Sequence, residues 1–252
     1  MAYVKKTYRD LEVVRGTTLV VPSVSIGNVP QLATDLLIHN LAFERIAHLK
    51  DTYLYPFASP VDYATGTSID GATTGAGIST ALEVFYSAKF NLTLLQQRSP
   101  IITTFTDKFI KEIITPFVND NEFAGVLMLD SGDSGLRESI VQGTVETYTN
   151  EDLLSKSIES LKLNDSIKSL RDVEYVNSKY IKNLSGSLGT DWLNVLVIYV
   201  YEGENFMEAN ILAQKVVDKL EIKVEEWVKP VSWKGVYGDK PVPVAMEEGI
   251  YG

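Results

Sequence analysis

Serine and histidine are the residue types in this sequence that could supply nucleophilic catalysis. Gly132-Asp133-Ser134-Gly135 is the segment that fits this chemistry best, because serine proteases carry their nucleophile in such a segment. A serine nucleophile needs a histidine base within hydrogen-bond reach, and the chain has two histidines, His39 and His48. His39 falls within a predicted helix, where it is expected at the surface or half-buried. A turn after a strand explains the same four residues, so we predict a turn and no catalytic residue.

Neither a phosphate cradle nor a metal site is predicted. Gly71, Gly75 and Gly77 are not followed by the Gly-Lys-Ser/Thr of a P-loop, and the stretch 60–77 is typical of a surface loop. Two histidines nine residues apart, in a chain without cysteine, do not have metal-ligand spacing. We therefore predict no cofactor and no enzyme activity.

Two charged residues stand at otherwise apolar positions. Glu83 lies within a predicted strand and Arg98 ends the next one. We expect them to pair across the hairpin as a structural ion pair.

Composition restricts the class of partner. The chain has 252 residues, 45% apolar and 22% charged, and a net charge of −10. These are globular values. An acidic surface repels phosphate backbones and anionic lipids, so nucleic acid and membrane are poor partners and a basic protein surface is a better one. The charged N-terminus and the absence of cysteine are expected of a cytosolic or nuclear protein.

Hydrophobic periodicity predicts one α/β domain over 1–238, with a mixed sheet between helix layers, and an extended tail over 239–252. Apolar β-branched runs predict strands, and apolar residues at helical spacing predict helices. The predicted strands are 17–21, 53–57, 81–86, 91–97, 124–129 and 194–201. The first predicted helix begins at Asn28, and three further helices are predicted over 104–117, 153–170 and 206–220.

Several segments resemble the proteasome assembly chaperone 2 family, in its fungal form. They are 19–32 (LVVPSVSIGNVPQL), 35–37 (DLL), 79–86 (STALEVFY), 96–100 (QQRSP) and 228–238 (VKPVSWKGVYG). The resemblance implies a three-layer α/β/α sandwich of the phosphorylase- and hydrolase-like kind, used without an active site. It also implies a heterodimer with proteasome assembly chaperone 1 and binding to the α-ring of the proteasome core particle. There the pair would promote core-particle assembly and block premature binding of regulatory particles.

The last three residues, Ile250, Tyr251 and Gly252, match the hydrophobic-Tyr-any ending of fungal members. The resemblance implies that this ending enters a pocket between two α-subunits. A terminal carboxylate can pair with a lysine, and tyrosine adds a rigid apolar surface with a hydroxyl. The alternative from the bare sequence is a frayed terminus.

A second hypothesis places a small-molecule-binding protein or enzyme on the same phosphorylase-like scaffold. Its site would be the loop after Pro22, at the switch point of the sheet. Residues 23–28 offer hydroxyls and an amide but no acid, base or cation. The sequence therefore favours a binding protein over an enzyme.

Overall fold

Five of the six predicted strands lie within an eight-stranded mixed sheet. This computed structural model describes residues 1–62, 77–136, 141–149, 179–188 and 193–233. The ten strands, in chain order, are β1 Val4–Thr7, β2 Thr18–Pro22, β3 Glu44–Leu49, β4 Ala58–Pro60, β5 Ile78–Thr80, β6 Leu82–Ser87, β7 Leu92–Gln97, β8 Gly125–Asp133, β9 Val145–Thr149 and β10 Leu193–Val200.

The sheet has the strand order β1-β3-β6-β7-β2-β8-β10-β9, and β4 pairs with β5 apart from it. The neighbours β7, β2, β8 and β10 run parallel to one another. The strands toward both edges pair in antiparallel fashion. Seven of the eight residues of β10 are buried, as expected of a strand that is covered on both faces.

Helices cover both faces of the sheet. Helix α1 (Val29–Asn40) and helix α5 (Phe206–Lys219) pack on one face, where Leu36 and Leu212 belong to one buried cluster. Helices α2 (Thr106–Phe109), α3 (Thr115–Asp120) and α4 (Lys179–Leu188) pack on the other face, in a second cluster. The prediction of a three-layer α/β/α sandwich is therefore confirmed.

The helix predicted over 104–117 is interrupted. Between α2 and α3, residues Ile110–Ile114 form a π-helical turn, and the Thr115 N–H donates to the Ile110 carbonyl five residues back. Pro116 follows directly and has no N–H to donate, and its ring crowds the carbonyl four residues earlier. The wider turn before Pro116 accommodates this constraint.

The strand predicted over 53–57 is wrong. Within that segment Leu54 forms a single bridge to Ile101, and the chain enters a strand later, at Ala58–Pro60. Pro56 explains the difference, since it cannot donate a ladder hydrogen bond. The helix predicted over 153–170, most of the loop over 60–77 and the tail over 239–252 lie outside the described residues.

The expected pair between Glu83 and Arg98 is also wrong. The Arg98 guanidinium donates to Asp35 of α1 at 2.8 Å, and Gln96 donates to the same carboxylate at 2.8 Å. Glu83 instead accepts from Arg45 of β3 at 2.8 Å. The register that places β6 between β3 and β7 gives Glu83 a cation on its other side, and α1 brings Asp35 over Arg98.

We predict that Arg98→Met destabilises the fold by about 3 kcal/mol, because it leaves the Asp35 carboxylate buried without its cation. The measurement is the free energy of unfolding in urea. Arg9→Met is the matched control, since Arg9 and Glu44 form an exposed pair that contributes less than about 1 kcal/mol. Equal losses in the two variants would contradict the assignment of Asp35 and Arg98 as a structural pair.

Candidate functional site

The connections of the sheet diverge between β2 and β8. After β2 the chain passes through α1 and re-enters the sheet at β3, on one side. After β8 it re-enters at β9 and β10, on the other side. In open α/β sheets such a switch point leaves a crevice at the carboxyl ends of the parallel strands, where ligands commonly bind. The loop after Pro22 lies there, as the second hypothesis requires.

Four hydroxyl and carboxyl side chains meet in this crevice. Ser23 donates to the buried Asp130 carboxylate of β8 and also contacts Ser25 at 2.9 Å. Ser25 and Ser131 are 2.8 Å apart, and the Ser131 hydroxyl donates to the Ile26 carbonyl at 2.6 Å. These groups bond to one another and to the backbone, so the network fastens the loop to β8.

The loop also approaches the start of α5 closely. Gly27 has φ of 66°, and a Cβ there would overlap the Asn205 amide nitrogen and lie 3.0 Å from Asn205 Cγ. Asn205 donates to the carbonyls of Tyr201 and Gly203 at 3.1 and 3.0 Å, which fixes the turn between β10 and α5. Glycine at position 27 therefore lets the loop after Pro22 pack directly against the turn between β10 and α5.

The prediction for the loop after Pro22 did not include the acidic residue of this crevice, Asp130. Asp130 lies 107 residues from Ser23, and nothing local in the sequence places the two together. The parallel pairing of β2 with β8 brings them into contact, since Pro22 stands opposite Leu129. Contrary to the expectation for the loop alone, the switch point therefore contains a carboxylate.

Catalysis by Ser134 finds no support in the geometry. Strand β8 ends at Asp133, and Ser134–Leu136 form a short 3-10 turn, which confirms the predicted turn. The Ser134 hydroxyl is buried and has no hydrogen-bond partner among the described residues. His48 lies on β3, four strand spacings or about 19 Å across the sheet from β8.

Both histidines lie within regular elements of the fold, on α1 and β3. His39 is half-buried on α1, as predicted. His48 contacts Tyr8 at 3.3 Å and Glu83 at 3.3 Å. Burial lowers the pKa of each histidine and outweighs the attraction of nearby carboxylates, which favours neutral imidazoles near pH 7.

The last described segment, residues 227–233, crosses the outer surface of α1 and α5, and we call it the strap. Asn40 of α1 exchanges two hydrogen bonds with the Val228 backbone, at 2.8 and 2.9 Å. Trp227 donates to Gln214 of α5 at 3.0 Å. The Trp233 ring stacks on Phe206 with centroids 4.6 Å apart. The strap therefore holds the chain against the domain up to Trp233.

Beyond Trp233 the chain lies outside the described residues, and so do Ile250, Tyr251 and Gly252. Within the described ranges, His, Cys, Asp and Glu side chains nowhere form a group of three that could hold a metal ion. Those ranges also contain no helix with the length and apolar character needed to cross a bilayer.

The described residues form a three-layer α/β/α sandwich with a polar network at the switch point and a strap across α1 and α5. The model of the PAC2 family matches residues 19–188, and the chain belongs to that family. Relatives that are similar to this protein over most of its length are named proteasome assembly chaperone 2. The protein from Saccharomyces cerevisiae is 29% identical, covering 87% of this chain and 94% of its own. That from Homo sapiens is 28% identical, covering 88% and 92%.

Solved structures of similar fold come from Pyrococcus furiosus. PbaA, an archaeal homolog of proteasome-assembly chaperone, gives a TM-score of 0.58 at 14% identity and covers 84% of each chain. PbaB, an archaeal proteasome activator, gives a TM-score of 0.59 at 12% identity and covers 89% of this chain and 92% of its own. At these identities the likeness concerns the fold.

We predict that Gly27→Ala destabilises the protein more than Gly16→Ala does, by about 1–3 kcal/mol. Both glycines have positive φ, of 66° and 72°, so both substitutions carry the same backbone strain. A Cβ at Gly16 meets nothing within 4 Å, whereas one at Gly27 overlaps Asn205. Urea unfolding of both variants measures the difference. It should shrink in an Asn205→Ala background, and an unchanged difference there would refute the overlap as its cause.

We predict that Ser134→Ala leaves the free energy of unfolding unchanged or raises it by about 1 kcal/mol, because an unpaired buried hydroxyl is removed. Ser131→Ala is the matched control. It removes the hydroxyl that bonds Ser25 and the Ile26 carbonyl and should cost about 1–3 kcal/mol. A loss at Ser134 equal to that at Ser131 would show that Ser134 has a partner in solution.

Proposed function

We propose that this protein is a proteasome assembly chaperone subunit that pairs with proteasome assembly chaperone 1 and binds the α-ring of the core particle. The observation that carries the proposal is the similarity to proteins named proteasome assembly chaperone 2, which spans 87% of this chain in the yeast relative. The pair would favour correct ring formation and keep regulatory particles away from immature rings. We propose that this activity takes place in the cytoplasm and also in the nucleus.

The described site supports a binding role. The hydroxyls and the carboxylate of the switch point satisfy one another. Such a network rigidifies a fold and engages its hydroxyls in internal hydrogen bonds. The net charge of −10 suits a basic protein surface as the partner.

The strap supports a role for the tail. It anchors the chain at Trp233, and 19 residues follow to Gly252. Fully extended, 19 residues reach about 65 Å, which is ample for a pocket beside the domain. A short tethered peptide gains effective concentration once the domain contacts the same partner. We therefore propose that Ile250 and Tyr251 fill a pocket between two α-subunits and that the carboxylate of Gly252 pairs with a lysine there.

We predict that Tyr251→Ala weakens binding to purified core particles about thirtyfold, because a buried aromatic anchor costs about 2 kcal/mol when truncated. The measurement is equilibrium binding of the full chain at fixed salt, with thermal unfolding to show that the fold is intact. Tyr237→Ala, which removes the same side chain 14 residues upstream, is the matched control and should bind within about twofold of the natural chain.

One added residue after Gly252 tests the carboxylate separately. It keeps Ile250 and Tyr251 but displaces the charge by about 3.5 Å, beyond direct pairing with a fixed lysine. Binding should fall although nothing is deleted. Unchanged affinity of both the extended chain and Tyr251→Ala would show that the tail does not insert.

A further inference from the structure

Exposed apolar side chains are concentrated at one end of the sheet. Ten large hydrophobic side chains are exposed in the described part of the chain, and five of them lie at the carboxyl ends of β8 and β10. We call these five the end patch. They are Leu136 (71% exposed), Val141 (75%), Tyr201 (51%), Met207 (71%) and Ile211 (37%).

Contacts between neighbouring residues show that the end patch is one surface. A Cβ on Gly135, next to Leu136, would lie 3.5 Å from the Tyr201 ring. Gln142, next to Val141, donates to Glu208 of α5 at 2.6 Å, and a Cβ on Gly143 would lie 3.4 Å from Ile211 Cδ1. Met207 and Ile211 are one helical turn apart on α5. A contiguous exposed apolar surface of this kind marks an interaction site.

The surroundings of the end patch are acidic. The described segments 133–136, 141–145 and 199–215 contain four carboxylates and one cation, Lys215, which lies one helical turn beyond Ile211. The carboxylates are Asp133, Glu202, Glu204 and Glu208. Glu202 and Glu204 are both exposed. Apolar contact inside an acidic rim is complementary to an apolar surface with a basic rim.

A second copy of this chain is a poor occupant for the same reason. A two-fold symmetric contact places the same surface against itself, so the acidic rims would meet. Like charges across an interface are unfavourable and reject the wrong partner. The occupant is therefore a different protein.

The strap connects the end patch to the tail. Trp233 stacks on Phe206, which directly precedes Met207. Trp233 thus lies beside the end patch. The chain therefore leaves its described part next to this surface.

We infer that the end patch is the globular contact for the same partner that receives the tail, an α-ring face that presents apolar side chains with lysine or arginine around them. This inference rests on the proposed function. It adds a second contact, independent of Ile250, Tyr251 and Gly252, and accounts for how a short tail is held near its pocket.

The experiment compares variants of the full chain, all with an intact tail, for binding to purified core particles. Glu202→Lys/Glu204→Lys reverses the rim and should weaken binding about tenfold at low salt, with the difference shrinking as salt is raised. The matched control Glu12→Lys/Glu122→Lys makes the same charge change at two exposed carboxylates elsewhere and should bind normally. Leu136→Ser/Met207→Ser removes apolar contact and should also lose about tenfold, at all salt concentrations.

Binding to the purified second chaperone subunit is measured in parallel and should not change. Loss of that binding, with core-particle binding retained, would overturn the inference and assign the end patch to the heterodimer. Equal core-particle binding by the rim variant, the apolar variant and the control would also overturn it, while a sensitive Tyr251→Ala variant would leave the proposed function standing. A natural chain that self-associates through Leu136 and Met207 would equally contradict the inference.

Discussion

The parallel pairing of β2 with β8 is the interaction on which the rest of the structure depends. It joins residues more than a hundred positions apart, from Thr18 opposite Gly125 to Pro22 opposite Leu129. The two strands supply Leu19, Val20, Met128 and Leu129 to the cores on both faces. The same register carries Ser23 to Asp130 and so closes the switch point. Because burial on two faces fixes register strongly, the polar network inherits its geometry from the apolar one.

The pairing of β2 with β8 explains why the switch point, where ligands commonly bind in this type of sheet, contains a structural network here. In many open α/β sheets the switch point is left open for a substrate. Here the Ser25 and Ser131 hydroxyls form a hydrogen bond with each other at 2.8 Å, and Asn205 packs against Gly27. The polar groups stabilise the loop, and the exposed apolar side chains of the end patch lie outside this network.

Much of the central fold could be predicted from the sequence, because β2 and β10 consist mainly of apolar residues and α1 has leucines at helical spacing. The rest depends on distant partners. Strand β1 has the polar sequence VKKT and exists because β3 pairs with it. The prediction that Glu83 pairs with Arg98 was wrong, because their actual partners come from β3 and α1 rather than from the hairpin. The Ser23–Asp130 contact and the stacking of Trp233 on Phe206 leave no local pattern at all. The prediction for Ile250, Tyr251 and Gly252 comes from the family resemblance, because hydrophobic periodicity gives no information about a three-residue ending.

The strap also orders events during synthesis. Asn40 is made early, yet its partner Val228 follows 188 residues later. Domains generally fold as units during synthesis, so α1 lacks its outer cover until nearly the whole domain has been translated. Closure of the strap at Asn40 and Phe206 is then among the last folding steps, and the residues after Trp233 follow it out of the ribosome. A nascent chain would thus acquire its strap only after the rest of the domain has been translated.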